Sequence, residues 1–290
     1  MDHWGLSQDF KNWMETQVTF CNTLVDRIVP GFPKENIHEI QTRLGYEDNL
    51  VVTAEPFLLW VIEAPEKVRK QFPTEETDLQ VKFVSDLTAY RTRKVRILNG
   101  AHTAMVPVAY LMGLRRVKES VEHPVIGHYL RAIIFNEIIP TLDLGDDELK
   151  QFAHDVLERF QNPYIKHELI SIALNSISKF KTRVLPSILE YSSRNKSLPP
   201  NLVFSLAALI RFYKGECNGV NIPLQDSPEV LAFFSSAWKA PSLAAISKLV
   251  LGNEEFWGLN LDKIDHLTES VTQYLELMEK GRWEIPRQNI

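Results

Sequence analysis

The sequence predicts a mainly α-helical protein preceded by a small α/β segment, on three observations. From Lys94 onward apolar residues recur at about 3.6-residue spacing, the first 90 or so residues mix short β-rich runs with helices, and helix caps and stops stand at the ends of the periodic runs. The expected organisation is an α/β segment over 1–88 and a helical domain over 89–290.

Ser7 is a side-chain N-cap for a first helix through Met14, and Glu35 to Leu44 forms a second, stopped by Gly45. Val18 to Val29, Leu50 to Ala54 and Val81 to Val84 are β-rich, the last bounded by Pro, Asp and Ser nearby. Ala64 to Asp78, charged and carrying Pro65 and Pro73, reads as a loop. Helices then follow near 103–116 and 124–138. The clearest is Asp146 to Phe160, with Leu149, Phe152, Ala153, Val156, Leu157 and Phe160 on one face, Asp146 as cap and Asn162-Pro163 as stop. Further helices fall near 166–179, 182–193 and 200–213. Ser227-Pro228-Glu229 opens another, with a cap, a first-turn proline and an acid at the positive end of the dipole. Asp262 to Lys280, stopped by Gly281, is the last.

With 290 residues, 44% hydrophobic and 24% charged, the chain can bury a large core without disulfides or metal. A net charge of −5 and a pI near 5.9 argue against a nucleic-acid partner. Cys21 and Cys217 stand alone and suit a reducing cytosol. Met1 to Phe10 has no signal-peptide apolar run. The longest apolar run, Ala104 to Leu114, falls short of the roughly 20 residues a membrane helix needs. A cytoplasmic protein with no membrane partner is expected. His123, His128, His154, His167 and His266 lack H-x-x-x-H or H-E-x-x-H spacing, so no metal is expected. No three glycines fall as G-x-G-x-x-G and no G-x-x-x-x-G-K-S/T occurs, so the chain has no phosphate cradle of its own.

The run Arg91-Thr-Arg-Lys94-Val-Arg96-Ile-Leu-Asn99-Gly-Ala-His102 carries the chemistry. In an α-helix at about 100° per residue, Lys94, His102 and Asn99 share an arc of roughly 140°. An amine, an amide and an imidazole can then converge on one small polar ligand. Alcohol oxidation needs such a set: a base for the hydroxyl proton and donors for the developing oxyanion. Burial and the cations Arg91, Arg93 and Arg96 would lower the lysine's basicity. The same residues also suit a basic, solvent-facing helix entrance with His102 packed in the core.

Lys94-x4-Asn99-x2-His102 within RKVRILNGAH resembles the signature of the polyol-specific long-chain dehydrogenases, the family of mannitol dehydrogenase and fructuronate or tagaturonate reductase. Phe20-Cys-Asn-Thr-Leu-Val-Asp26-Arg27-Ile-Val-Pro30 resembles the family's F-P-N-x-M-V-D-R-I-T-P. Ala54-Glu55-Pro56-Phe57-Leu-Leu-Trp60-Val61-Ile62-Glu63 is similar to A-E-P-F-x-Q-W-V-I-E, and Arg159-Phe160-Gln-Asn162-Pro163-Tyr-Ile165 to R-F-x-N-P-x-I. Ser176-Ile-Ser178-Lys179 is a looser match to S-x-K. The resemblance spans about residues 4 to 285. It implies Lys94 as general acid/base, Asn99 and His102 on the reacting oxygen and a neighbouring hydroxyl, Lys179 on substrate further along, and a supporting role for Asp26. It also implies a helical domain similar to the C-terminal domain of 6-phosphogluconate dehydrogenase, behind the last part of a Rossmann domain.

Two departures bear on substrate. Arg91 stands three before the lysine, where mannitol-type enzymes have an acid, and Ser171 stands eight before Lys179, where they have an arginine. The run Ile172 to Pro186 instead resembles the tagaturonate reductase (altronate oxidoreductase) branch. Lys179, Lys181 and Arg183 then offer cations to a sugar-acid carboxylate; Lys181 and Arg183 equally suit a solvated helix face. His167 lies on a helix near this site without an assigned role. The implied activity is NAD-dependent interconversion of D-tagaturonate and D-altronate. Alternatives are a fructuronate reductase, a mannitol-type dehydrogenase or a non-catalytic helical remnant. The family places the cofactor phosphates, and a further oxyanion-binding asparagine, on a Rossmann segment upstream. The chain is therefore expected to be a piece of such an enzyme, with NAD held mainly by that missing N-terminal domain.

Overall fold

The computed structural model describes residues 2–286, in two compact units, one up to Arg91 and the other from Thr92; the sequence reading drew its boundary at 88/89. Each unit follows from its own local chemistry.

In the first unit Ser7 caps α1 (Gln8–Gln17), its hydroxyl accepting from Phe10 N at 3.2 Å. After β1 (Asn22–Asp26) comes α2 (Ile37–Leu44), which ends where Gly45 turns left-handed at φ 79°. Then follow β2 (Leu59–Glu63), α3 (Glu66–Gln71), β3 (Val81–Val84) and the start of α4 (Thr88–Arg93). The sheet order is β1-β2-β3, with β1 antiparallel and β3 parallel to β2. The expected strand at Leu50 to Ala54 is only an isolated bridge, Thr53 to Gly31; Leu50 and Val52 stay exposed. The central strand is β2, which the sequence reading did not mark as one. Val61 and Ile62 are both buried, so the strand is covered on successive positions and loses the polar–apolar alternation that identifies strands. Ala64 to Asp78, expected as a loop, holds α3, entered through Pro65. Trp4, Phe20 and Leu50 remain 75%, 78% and 89% exposed, a large apolar display for one unit.

The second unit is helical, apart from the short β4 (Glu216–Cys217) and β5 (Val220–Asn221) pair, which the sequence analysis did not foresee. A π-helical turn, Lys94–Asn99, runs straight into α5 (Gly100–Leu111), all of whose residues are buried. Gly113, at φ 96°, lies beyond its end, so the helix stops short of the expected 116. Next come α6 (Val117–Glu122) and α7 (Pro124–Ala132), and a second π turn, Ile133–Ile138, closes the segment expected as one helix to 138. α8 (Asp146–Phe160) buries all six residues of the predicted apolar stripe, but Gly145 is its N-cap and Asp146 its first residue. The single helix expected over 166–179 is two, α9 (Leu169–Ile172) and α10 (Ser176–Arg183), broken by Asn175 at φ 53°. α11 (Leu185–Asn195), α12 (Pro200–Phe212), α13 (Pro228–Ala237), α14 (Leu243–Leu251), α15 (Glu254–Trp257) and α16 (Leu267–Glu279) complete the unit. α16 begins five residues after Asp262, because His266 is left-handed at φ 60°.

α5 and α12 are apolar nearly all round, which marks the centre of a core. Ser205 Oγ donates to Ala104 O at 2.8 Å and ties them together. α12 starts at prolines and has no side-chain cap of its own. Glu137, fully buried on the second π turn, supplies one: its carboxylate accepts from Asn201 N, Asn201 Nδ2 and Leu202 N, each at 2.8 Å. Burial nevertheless raises its pKa to about 7, against the downward pull of those donors. Among the described residues no helix is long and apolar enough to cross a membrane.

Candidate active site

Lys94, Asn99 and His102 sit where the π turn meets α5. Gly100 N donates to Val95 O, five residues back, which is the widened hydrogen bond of a π turn. In an α-helix Lys94 and Asn99 would stand about 140° apart; with bonds running i to i+5, residues five apart come round to nearly the same side. The local geometry thus brings the amine and the amide closer to one line than a regular helix allows. Both residues are half-buried. The turn also lies against α10: a Cβ on Gly100 would fall 2.9 Å from Arg183 O, so only glycine fits this approach.

His102 is 5% exposed and held as a flat plate. Phe160, the last residue of α8, stacks on it with centroids 3.8 Å apart and planes within 10°. This gives a physical role to the R-F-x-N-P segment: its phenylalanine backs the imidazole. His167 stands edge-on to the other ring, 5.5 Å away at 89°. Burial first, then His167, Arg183 and Arg159, hold the His102 imidazole well below the usual histidine range, so it is neutral near pH 7. Its Nε2 is buried without a hydrogen-bond partner among the described residues. Leaving such a group unpaired costs about 1–3 kcal/mol, so this atom is poised for a polar ligand.

α10 contributes from the neighbouring side. Lys179 and Arg183 are four apart and share a face. Lys179 Nζ donates to Ile172 O at 2.9 Å, closing the end of α9 and leaving other N–H donors on the ammonium. Burial lowers the pKa of both, and Arg183 lowers that of Lys179 further, against a smaller rise from Asp226. Lys181 does not join them. Two residues round the helix, its Nζ lies against Gly258, and it lines a separate groove of about 430 Å³ with Asp226, Glu229 and Glu255.

The positive field expected around Lys94 is weaker than the sequence implies. Arg93 pairs with Glu148 and lies over Phe152 at 4.5 Å, and Arg96 is lowered to about 10 by burial, with Glu190 and Arg194 acting on it. Asp26 is buried at the end of β1 in the first unit, beside the Arg27 and Ile28 contacts to Glu55. Sequence reasoning missed Phe160 as the support of His102 and gave His167 no role; the aromatic contacts of both cross between helices, which spacing along one helix cannot reveal. Among the described residues no group of three or more His, Cys, Asp or Glu is placed to hold a metal ion.

Fold and site define a helix-rich protein that carries a small mixed sheet and a buried neutral imidazole set among cations. Its sequence matches the mannitol dehydrogenase C-terminal domain over residues 86–279 and the mannitol dehydrogenase Rossmann domain over residues 2–76, and the chain belongs to the mannitol dehydrogenase family. It is 51% identical over 274 residues to the altronate oxidoreductase of Bacillus subtilis (strain 168), covering 94% of this chain and 56% of that protein. The altronate oxidoreductase of Phocaeicola vulgatus is 46% identical over 287 residues, covering 98% and 60%. Pseudomonas fluorescens mannitol 2-dehydrogenase, solved as a ternary complex with NAD and D-mannitol, superposes with a TM-score of 0.79 at 25% identity, covering 94% of this chain and 54% of that one. D-sorbitol dehydrogenase in substrate-free form shares the fold at a TM-score of 0.76. The chain thus spans little more than half the length of the proteins it matches.

Proposed function

We propose that this chain is the substrate-binding and proton-handling part of an NAD-dependent oxidoreductase that interconverts D-tagaturonate and D-altronate. The observation that carries the reading is the buried, unpartnered Nε2 of His102 in a setting of cations, with Lys179 and Arg183 on one helix face. A sugar acid offers both of the groups this arrangement suits: hydroxyls for the imidazole and a carboxylate for the cations. Identity of 44–51% to proteins named altronate oxidoreductase supports the same choice over mannitol.

Lys94 accepts the hydroxyl proton during oxidation and returns it during reduction. Asn99 donates its amide N–H to the oxygen on which negative charge develops. The neutral His102 fixes a neighbouring hydroxyl through Nε2, and Lys179 with Arg183 receives the carboxylate. Asp26 supports the cleft. NAD, when bound, supplies the hydride acceptor. This chain's residues do not fit the dinucleotide phosphates, because it has no glycine-rich turn to cradle them. That grip belongs to a nucleotide-binding segment outside these residues, with 1–88 as the end of that domain and 89–290 as the substrate domain. The helical domain is of the kind found at the C-terminus of 6-phosphogluconate dehydrogenase, and the cytoplasm is its compartment.

The test is oxidation of altronate, mannonate and mannitol with NAD by the chain combined with that segment. Altronate should be preferred, and mannitol turned over as fast would overturn the assignment. The chain alone should oxidise none of them. A second reading, a non-catalytic remnant, draws on the exposed Trp4, Phe20 and Leu50 of the first unit. It predicts self-association in light scattering that the added segment neither reverses nor converts into activity.

A further inference from the structure

Around His167 the structure gathers more than a packing contact. The residue sits on a short crossing strand fixed by its neighbours' backbones: Val117 N donates to His167 O at 3.0 Å, and Leu169 N to Arg115 O at 2.8 Å. Its ring meets the edge of His102 from α5, and Lys179 of α10 acts on it directly. The one acid that acts on it, Glu168, is committed to Arg116 Nε at 2.8 Å. Arg183, within electrostatic reach of both Lys179 and His102, has no carboxylate partner of its own among the described residues. The groups converging here are therefore basic or cationic, and half-buried, where charge is felt strongly.

We propose that His167 is the residue that matches this site to an acid: it lies beside the substrate carboxylate and takes up a proton from solvent as that carboxylate binds. This rests on the sugar-acid reading above and deepens it, since it assigns the discrimination between an acid and a neutral polyol to one side chain. In the free protein burial, and then Lys179, keep the imidazole unprotonated, with Glu168 pulling the other way. An arriving carboxylate reverses the local balance and stabilises the imidazolium. The neutral form avoids stacking one more charge on Lys179 and Arg183 while the site is empty of an anion. His102, wholly buried and facing His167, Arg183 and Arg159, is worse placed to accept the proton.

The sign is fixed by this linkage. A group whose pKa rises on binding draws in a proton, so altronate affinity should fall as pH rises through the window between the free and bound values, by up to about tenfold per pH unit. Mannitol affinity should show no such slope. The experiment is calorimetric titration of the full chain with D-altronate and with D-mannitol, in buffers of different ionisation enthalpy, together with the imidazole NMR signals of His167. Altronate should bind with proton uptake and shift the His167 midpoint upward; mannitol should do neither. In His167→Gln, altronate should still bind through Lys179 and Arg183, more weakly and without the uptake. If that variant does not fold, the His167 midpoint in the unaltered chain decides. Altronate binding with an unmoved His167 midpoint, or uptake retained in His167→Gln, overturns the role of His167 and leaves the sugar-acid site standing. Failure of the unaltered chain to bind altronate at millimolar concentration overturns both.

Discussion

Glu137 turns a buried hydrogen-bond arrangement into a measurable pH dependence of stability. Its carboxylate is fully buried and caps α12 through three N–H donors, and burial raises its pKa from 4.5 to about 7. In the unfolded chain the same group titrates near 4.5. Stability contributed by its neutral form is therefore complete below about 4.5 and is lost as pH climbs to about 7, after which the curve is level. A displacement of about 2.5 units at about 1.4 kcal/mol each gives a loss of roughly 3 kcal/mol. Glu137→Gln does not titrate. The difference in unfolding free energy between the variant and the original should therefore move by about 3 kcal/mol between pH 4 and pH 8, in favour of the variant at the higher pH. Urea unfolding followed by far-UV circular dichroism reads this, since other titrating groups cancel in the difference. A difference that stays flat to within about 0.5 kcal/mol would refute the reasoning; the three donors would then outweigh burial and keep the carboxylate ionised throughout.

Lys94→Ala, assayed in the chain combined with a nucleotide-binding segment, should lower kcat for altronate by about 10²- to 10⁴-fold with little change in KM; an unchanged kcat would remove Lys94 as the acid/base. Gly100→Ala places a methyl 2.9 Å from Arg183 O. The overpacking cost of about 1–3 kcal/mol should outweigh the roughly 1 kcal/mol that alanine gains in a helix, and a gain in urea midpoint would contradict the close approach. Phe160→Ala should cost about 3–5 kcal/mol as a core truncation and raise the His102 midpoint by admitting water, visible in its imidazole NMR signals; an unmoved midpoint would show that Phe160 does not set the burial of His102.

The helical part was legible where one face repeats. The stripe of α8, Leu149 to Phe160, appears in the structure as predicted because a single helix packed on one side imposes its period on the sequence. Where helices are buried all round, or broken by one residue, the period says less. Asn175 and His266 interrupt helices through left-handed backbones that a spacing argument does not register, and β2, buried on successive positions, carries no alternation to detect. At the site, the order of Lys94, Asn99 and His102 was readable, but an α-helical arc misjudged the first pair because the π turn has no sequence mark of its own. Lys181 was grouped with Lys179 by proximity along the chain, and helical geometry sends it to another groove. Contacts that join separate helices, His102 with Phe160 and with His167, appear only when the chain is folded.

The π turn at Lys94–Asn99 also makes the register of a whole helix depend on chain length. Removing any single residue from it would let the ladder close as an ordinary α-helix and rotate everything downstream by about 100° relative to what precedes it. Such a deletion could spare every side chain of the K-x4-N-x2-H set and still disengage its members, as a gear slipped by one tooth. For this protein, counting residues between lysine and histidine therefore matters as much as the identity of either.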